Sequence, residues 1–158
     1  ARGALEVFSD IAKNKIPMLT SASLANRGIA QYRMGVAEAT YRASRAWLME
    51  TMTAVEDELT GNSDLPGAKT TQDARLACTH AANECMKVVD LLHNTAGTTG
   101  MRTFSPLERK LRDSHGAATH RWVAHPLYED LGKILLGVEA APEFAGGTGF
   151  PIGPPGPK

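Results

Sequence analysis

The sequence predicts an all-α fold, an antiparallel bundle of four to five helices. Apolar residues recur at three- and four-residue steps over long windows, and no segment alternates convincingly with period two. The interruptions fall at Gly, Pro and Ser/Thr clusters. The long helices carry Ala, Gly and Ser at inner positions, which lets neighbouring helices approach closely.

The elements follow in order. A first helix covers about 2–13, with Leu5, Val7, Phe8, Ile11 and Ala12 as its apolar positions. The chain opens without a Met or a capping residue, like the inside of a helix, so it is expected to be cut from something longer. Pro17 and a Ser/Thr/Asn cluster make 14–26 a loop. A long helix spans about 27–60 on the stripe Met34, Ala37, Tyr41, Ser44, Leu48, Met52, Val55 and Leu59, and Gly61 stops it. Residues 61–70 are a surface turn. Thr70 or Thr71 caps the next helix, about 72–96, whose inner face includes Leu76, Ala77, Ala81, Val88, Leu91 and Leu92.

Gly97 ends that helix, and 97–104 form a Gly/Thr loop. Ser105 as N-cap, Pro106 in the first helical position and Glu108 completing a capping box start a further helix. It runs through His120 until His125-Pro126 breaks it, and a last helix covers about 127–136. The helical domain is therefore 1–137. Residues 138–158 are a tail in which nine of the twelve positions from Gly146 to Pro157 are Gly or Pro, too poor in apolar residues to repay ordering.

Lys plus Arg and Asp plus Glu are each 17, giving zero net charge and no basic stripe, which argues against nucleic acid. No apolar run is long enough to span a bilayer. Cys78 and Cys85 lie seven residues apart on one helix, a rise of about 10 Å. A disulfide needs alpha carbons within about 7 Å. Free, mostly buried thiols are expected, which suits a cytoplasmic protein.

Several chemistries are excluded. No Glu has a His three residues on, so the di-iron bundle motif is missing. His115, His120 and His125 are each five apart, about 140° on a helix, so one face cannot offer all three to zinc. Asp113, Ser114 and His115 are adjacent and do not face one another as a triad would. There is no P-loop and no Gly-x-Ser-x-Gly.

Three segments, GIAQYRMGVAEATYRASRAWLMETM, ACTHAANECMKVVDLLHNTAGTTGM and PLERKLRDSHGAATH, together resemble the C-terminal helical domain of acyl-CoA dehydrogenase-like flavoproteins. The similarity covers about 1–137 and is closest to the flavin-dependent monooxygenase and hydroxylase branch. In the dehydrogenases a Gly-Gly-Tyr-Gly loop precedes a Pro-x-Glu-Arg-x-x-Arg-Asp helix. Gly97, Thr98, Thr99 and Gly100 stand at the loop, and Pro106, Glu108, Arg109, Arg112 and Asp113 match the helix. The resemblance implies that the loop approaches the flavin dinucleotide of a neighbouring subunit, and small residues suit close backbone approach to a pyrophosphate. It also places Arg27 and Gln31 where relatives touch a neighbour's cofactor. The bland reading of the loop is a C-cap and turn.

Many dehydrogenases follow Arg-Asp with Tyr-Glu-Gly, whose Glu is the catalytic base. Here His120 and Arg121 stand at the Tyr and Glu positions, and a guanidinium cannot act as a base at neutral pH. Arg112-Asp113-Ser114-His115 with a second His is instead similar to the monooxygenase branch, which makes His120 the catalytic candidate. On a continuous helix Asp113 and Gly116 would lie beside it. A helix-end capping role is its bland alternative. His115 is expected to be a packed, hydrogen-bonded core residue, and Glu108–Arg112 and Arg109–Asp113 ordinary i,i+4 pairs.

The resemblance implies the C-terminal domain of a reduced-flavin-dependent monooxygenase acting on a small aromatic substrate. Its cofactor would be FAD or FMN, bound mainly by domains absent from this chain. A separate flavin reductase and self-association as a homodimer or homotetramer are implied partners. The alternatives are an acyl-CoA dehydrogenase with its base elsewhere and a helical assembly module without catalysis.

Overall fold

The computed structural model describes residues 1–61 and 65–138; the Gly/Pro-rich stretch of the expected tail lies outside them. Among the described residues there are five α-helices and no strand. α1 is Arg2–Asn14, α2 Gly28–Thr60, α3 Ala68–Ala96, α4 Pro106–Ala118 and α5 Pro126–Leu135. Single 3-10 turns, Leu24–Asn26 and Gly97–Thr99, precede α2 and follow α3. No described helix is long and apolar enough to cross a membrane.

α3 is the central element: α1, α2, α4 and α5 all pack on it. The α2–α3 seam is made of small side chains. Ala30, Ala37, Ser44 and Thr51 are the buried residues of α2, and they recur every seven residues. α3 is buried on more than one face, at Ala77, Thr79, Ala81, Asn83, Val88, Val89, Leu92 and Ala96, as a helix packed on four others must be, whereas α2 keeps one narrow stripe inside. Of the expected α2 stripe, Ala37 and Ser44 are buried and Met34 and Tyr41 are half-buried, while Leu59 is exposed. Phe8 and Leu5 of α1, Leu24, Val89, Ala96 and Leu107 of α4 complete the main core. Leu127 and Leu131 bury the inner face of α5.

Two helix boundaries differ from the sequence expectation. α3 begins at Ala68, four residues early, and neither Thr70 nor Thr71 is its N-cap. The cap is supplied by the previous helix: the Glu58 carboxylate accepts from the Gly67 amide at 2.7 Å and from the Thr70 hydroxyl. Donation by Thr70, then by Gly67, holds the Glu58 carboxyl below its ordinary range. α4 begins as expected, with Ser105 Oγ accepting from the Leu107 amide and Pro106 at N1, but it stops at Ala118. Thr119 Oγ1 donates to the Gly116 carbonyl at 3.0 Å, in place of the next turn of helix. His120 therefore sits in a turn beyond the helix.

Candidate functional site

Two separate regions carry the sequence-expected site residues. The first lies at the C-terminal end of α3. Gly97 adopts φ +58 and ψ −144, a conformation that side-chain-bearing residues rarely adopt. Gly100 is buried, and a Cβ there would stand 3.2 Å from the His93 ring and 3.3 Å from two backbone carbonyls. The Gly97 amide donates to the Asn94 carbonyl and that of Gly100 to the Gly97 carbonyl, so both close the turn. Thr98 and Thr99 face a groove of about 940 Å³ between this loop and the end of α1. Lys15 and Arg102 bring positive charge to the same groove, and Asp10 a negative one. Lys15 Nζ also donates to the Ala96 carbonyl at 2.6 Å, a cation placed at a helix C-terminus.

Arg27 and Gln31 do not join this groove. Arg27 is the exposed N-cap of α2, and Gln31 Nε2 donates to the Ala25 carbonyl at 3.0 Å. Gln31 borders a small pocket of about 130 Å³ with Phe8, Ala30 and Met34. The α1 residues lining the two spaces, Asp10, Ile11 and Asn14 against Phe8, Ser9, Ala12 and Lys13, fall on opposite sides of that helix.

The second region is the turn after α4. The Val123 amide donates to the His120 carbonyl at 2.9 Å and closes a tight turn. The Trp122 amide makes a long hydrogen bond, 3.4 Å, to His120 Nδ1. An Nδ1 that accepts leaves the proton of a neutral imidazole on Nε2. His120 itself is exposed. Because α4 ends at Ala118, the Asp113 and Gly116 neighbours expected on a continuous helix do not flank it in that way.

The turn is anchored by a residue that sequence reading passed over. Asn83 of α3 is 1 % exposed, and its Nδ2 donates to the Val123 carbonyl at 2.9 Å. Asn83 and Gly97 are fourteen residues apart on α3, so the two regions stand about 20 Å from each other along the helix. Lys15 and Arg102 were likewise unmarked in the sequence, since only the approach of α1 to the end of α3 gives them a common groove.

The remaining expectations divide. His115 is exposed rather than packed in the core: its Nε2 lies 2.8 Å from Asp90 Oδ1 on α3, with the His side chain 51 % exposed. α4 buries only Leu107 and Ala118, which leaves His115 on its open flank, where Asp90 meets it. Glu108–Arg112 pairs at 2.7 Å and Arg109–Asp113 at 3.7 Å, both exposed i,i+4 contacts. Cys78 and Cys85 are free and half-buried rather than mostly buried, and burial pushes both thiols up. No group of three His, Cys, Asp or Glu side chains is placed to hold a metal among the described residues.

Comparison with known proteins gives a consistent picture. The profile of the family described as "Acyl-CoA dehydrogenase, C-terminal domain" matches residues 1–125. An indole-3-acetate monooxygenase of Acinetobacter baumannii is 31% identical over 144 residues, covering 91% of this chain and 37% of the relative. One from Pseudomonas putida is 28% identical over the same lengths. The fold resembles the HsaA monooxygenase from M. tuberculosis, with a TM-score of 0.73 and 18% identity over 88% of this chain and 35% of that one. It also resembles the 3-HSA hydroxylase from Rhodococcus sp. RHA1, with 0.76 and 19% over 89% and 36%. The chain thus spans little more than a third of the curated relatives it matches. With most of its length matched, this chain belongs to the acyl-CoA dehydrogenase C-terminal domain family.

Proposed function

We propose that this chain is the C-terminal helical domain of a flavin-dependent monooxygenase that hydroxylates a small aromatic substrate. The observation that carries the reading is 31% identity to an indole-3-acetate monooxygenase across 91% of the chain. The His120 and Arg121 pair supports it, since an arginine stands where the resemblance would put a dehydrogenase's carboxylate base. When bound, reduced flavin supplies the activation of oxygen, with a separate reductase as its source.

The residues present fit such a cofactor. The groove beside Gly97–Gly100 offers Thr98, Thr99, Lys15 and Arg102 to a diphosphate. A diphosphate there favours FAD over FMN. The two regions' separation fits a glycine loop serving a neighbouring subunit's cofactor and a His120 serving the chain's own. Arg27 and Gln31 are assigned to the same subunit contact. His120 Nε2, which carries the proton when Nδ1 accepts from the Trp122 amide, is the atom that donates a hydrogen bond to the substrate or its oxygen. Other domains hold most of the flavin.

Self-association as a homodimer or homotetramer is supported by α2, whose outer face exposes Ile29, Tyr32 and Val36 beside Ala39, Ala43 and Ala46. The cytoplasm is the proposed compartment.

The test uses the full-length protein with reduced flavin, oxygen and indole-3-acetate or a similar aromatic acid. Oxygen-dependent formation of a product heavier by one oxygen atom is expected. Reduction of bound flavin by an acyl-CoA without oxygen would replace this reading with dehydrogenation.

A further inference from the structure

We propose that Asn83 is a positioning residue: from the core of α3 it holds the 120–123 turn and so aims His120. This rests on the assignment of His120 above. Asn83 lies forty residues from Val123, yet its Nδ2 donates to the Val123 carbonyl at 2.9 Å and to the Thr79 carbonyl at 2.8 Å. Two carbonyl acceptors fix which way the amide faces, because only the NH₂ end can donate. The Val123 amide in turn donates to the His120 carbonyl, and the Trp122 amide to His120 Nδ1. Hydrogen bonds joined through the 122–123 backbone therefore link a buried side chain to the backbone and ring of the catalytic candidate.

The arrangement is costly in a way that points to geometry rather than stability. Asn83 Oδ1 is buried and has no hydrogen-bond partner among the described residues. An apolar side chain at this place in α3 would avoid that penalty. α4 has already ended at Ala118, so helix hydrogen bonds no longer define the path of 119–124. With His120 exposed, its neighbours do not pack it into place, and the tether fixes the turn instead.

The test compares Asn83→Leu, His120→Ala and the double variant of the full-length protein. Hydrogen exchange is read by mass spectrometry over 119–125, together with the ratio of hydroxylated product to released hydrogen peroxide. Asn83→Leu is expected to speed exchange in that segment while α2 exchanges as before. The product-to-peroxide ratio should fall on the order of 10–100-fold, the scale of a misplaced catalytic group. In the His120→Ala background the same change should lower it by less than about twofold, because the aimed group is gone. Asn83→Ala, in a helix that already holds Ala81 and Ala82, repeats the comparison if Leu does not fold.

Unchanged exchange at 119–125 would overturn the positioning role whatever His120 does. So would two losses that simply multiply, since Asn83 would then act on the structure at large. A His120→Ala variant with full product and no extra peroxide would instead sink the His120 assignment, and with it the claim that Asn83 acts through that ring.

Discussion

At the scale of single residues, the strongest constraints are conformational. Gly97 holds φ +58, so Gly97→Ala should cost about 1–3 kcal/mol of backbone strain. The urea midpoint would show this as a shift without a change in slope. Gly100 has ordinary angles and fails differently, because a methyl group would press on His93 and two carbonyls. For His120→Ala we expect hydroxylation to drop on the order of 100-fold or more while circular dichroism stays unchanged. A drop of less than threefold would remove the residue from the chemistry. Phe8, 1 % exposed at the centre of the core, is a stability residue alone; Phe8→Ala should cost roughly 3–5 kcal/mol in the same denaturation experiment.

At the scale of elements, the cap of α3 gives a pH signature. Glu58's carboxyl is held below its ordinary value, so its contribution is present above the unfolded-state pKa and fades as the pH falls through the lower folded one. Glu58→Gln should therefore melt below the parent at pH 7, and the gap should narrow in acid, below the ordinary range of a glutamate carboxyl. A gap that does not narrow at all as the pH is lowered from 7 into acid would show that the carboxylate charge is not the cause. Glu58 also marks what sequence could not disclose. Thr70 and Thr71 resemble caps by residue type, yet the capping group arrives from another helix twelve residues before Thr70. α4's start was legible because Ser105 and Pro106 are a local signal, although the expected capping box does not close: Glu108 pairs with Arg112, and the Ser105 amide donates to the Arg102 carbonyl. The end of α4 was not legible, because no Gly or Pro stands between Ala118 and Pro126, and a helical wheel carried past Ala118 misplaced His120.

At the scale of the molecule, α2 is covered on one side only. Its buried seam of Ala30, Ala37, Ser44 and Thr51 faces α3, while Tyr32 is 69 % exposed among small residues on another face. If that face is where copies meet, Tyr32→Glu with Val36→Glu should shift sedimentation toward the monomer while leaving helicity intact. The glycine loop was readable because its residue types match a family pattern. The groove it faces was not, since Lys15 and Arg102 lie 87 residues apart and meet only through the packing of α1 on α3.

The length of α3 has a mechanical meaning. Its 29 residues make a beam about 43 Å long. The glycine loop hangs from one tip, and the His120 turn is tied to it near the middle. Along the lower half of the beam the bearings are Ala77, Thr79 and Ala81, small side chains with little length to yield under load. A bulkier residue at Ala77 would thus act as a wedge under a lever, tilting the beam and displacing its far tip more than its midpoint. Damage to the groove at Gly97–Gly100 can therefore originate about 30 Å away, at a position that touches neither that groove nor the His120 turn.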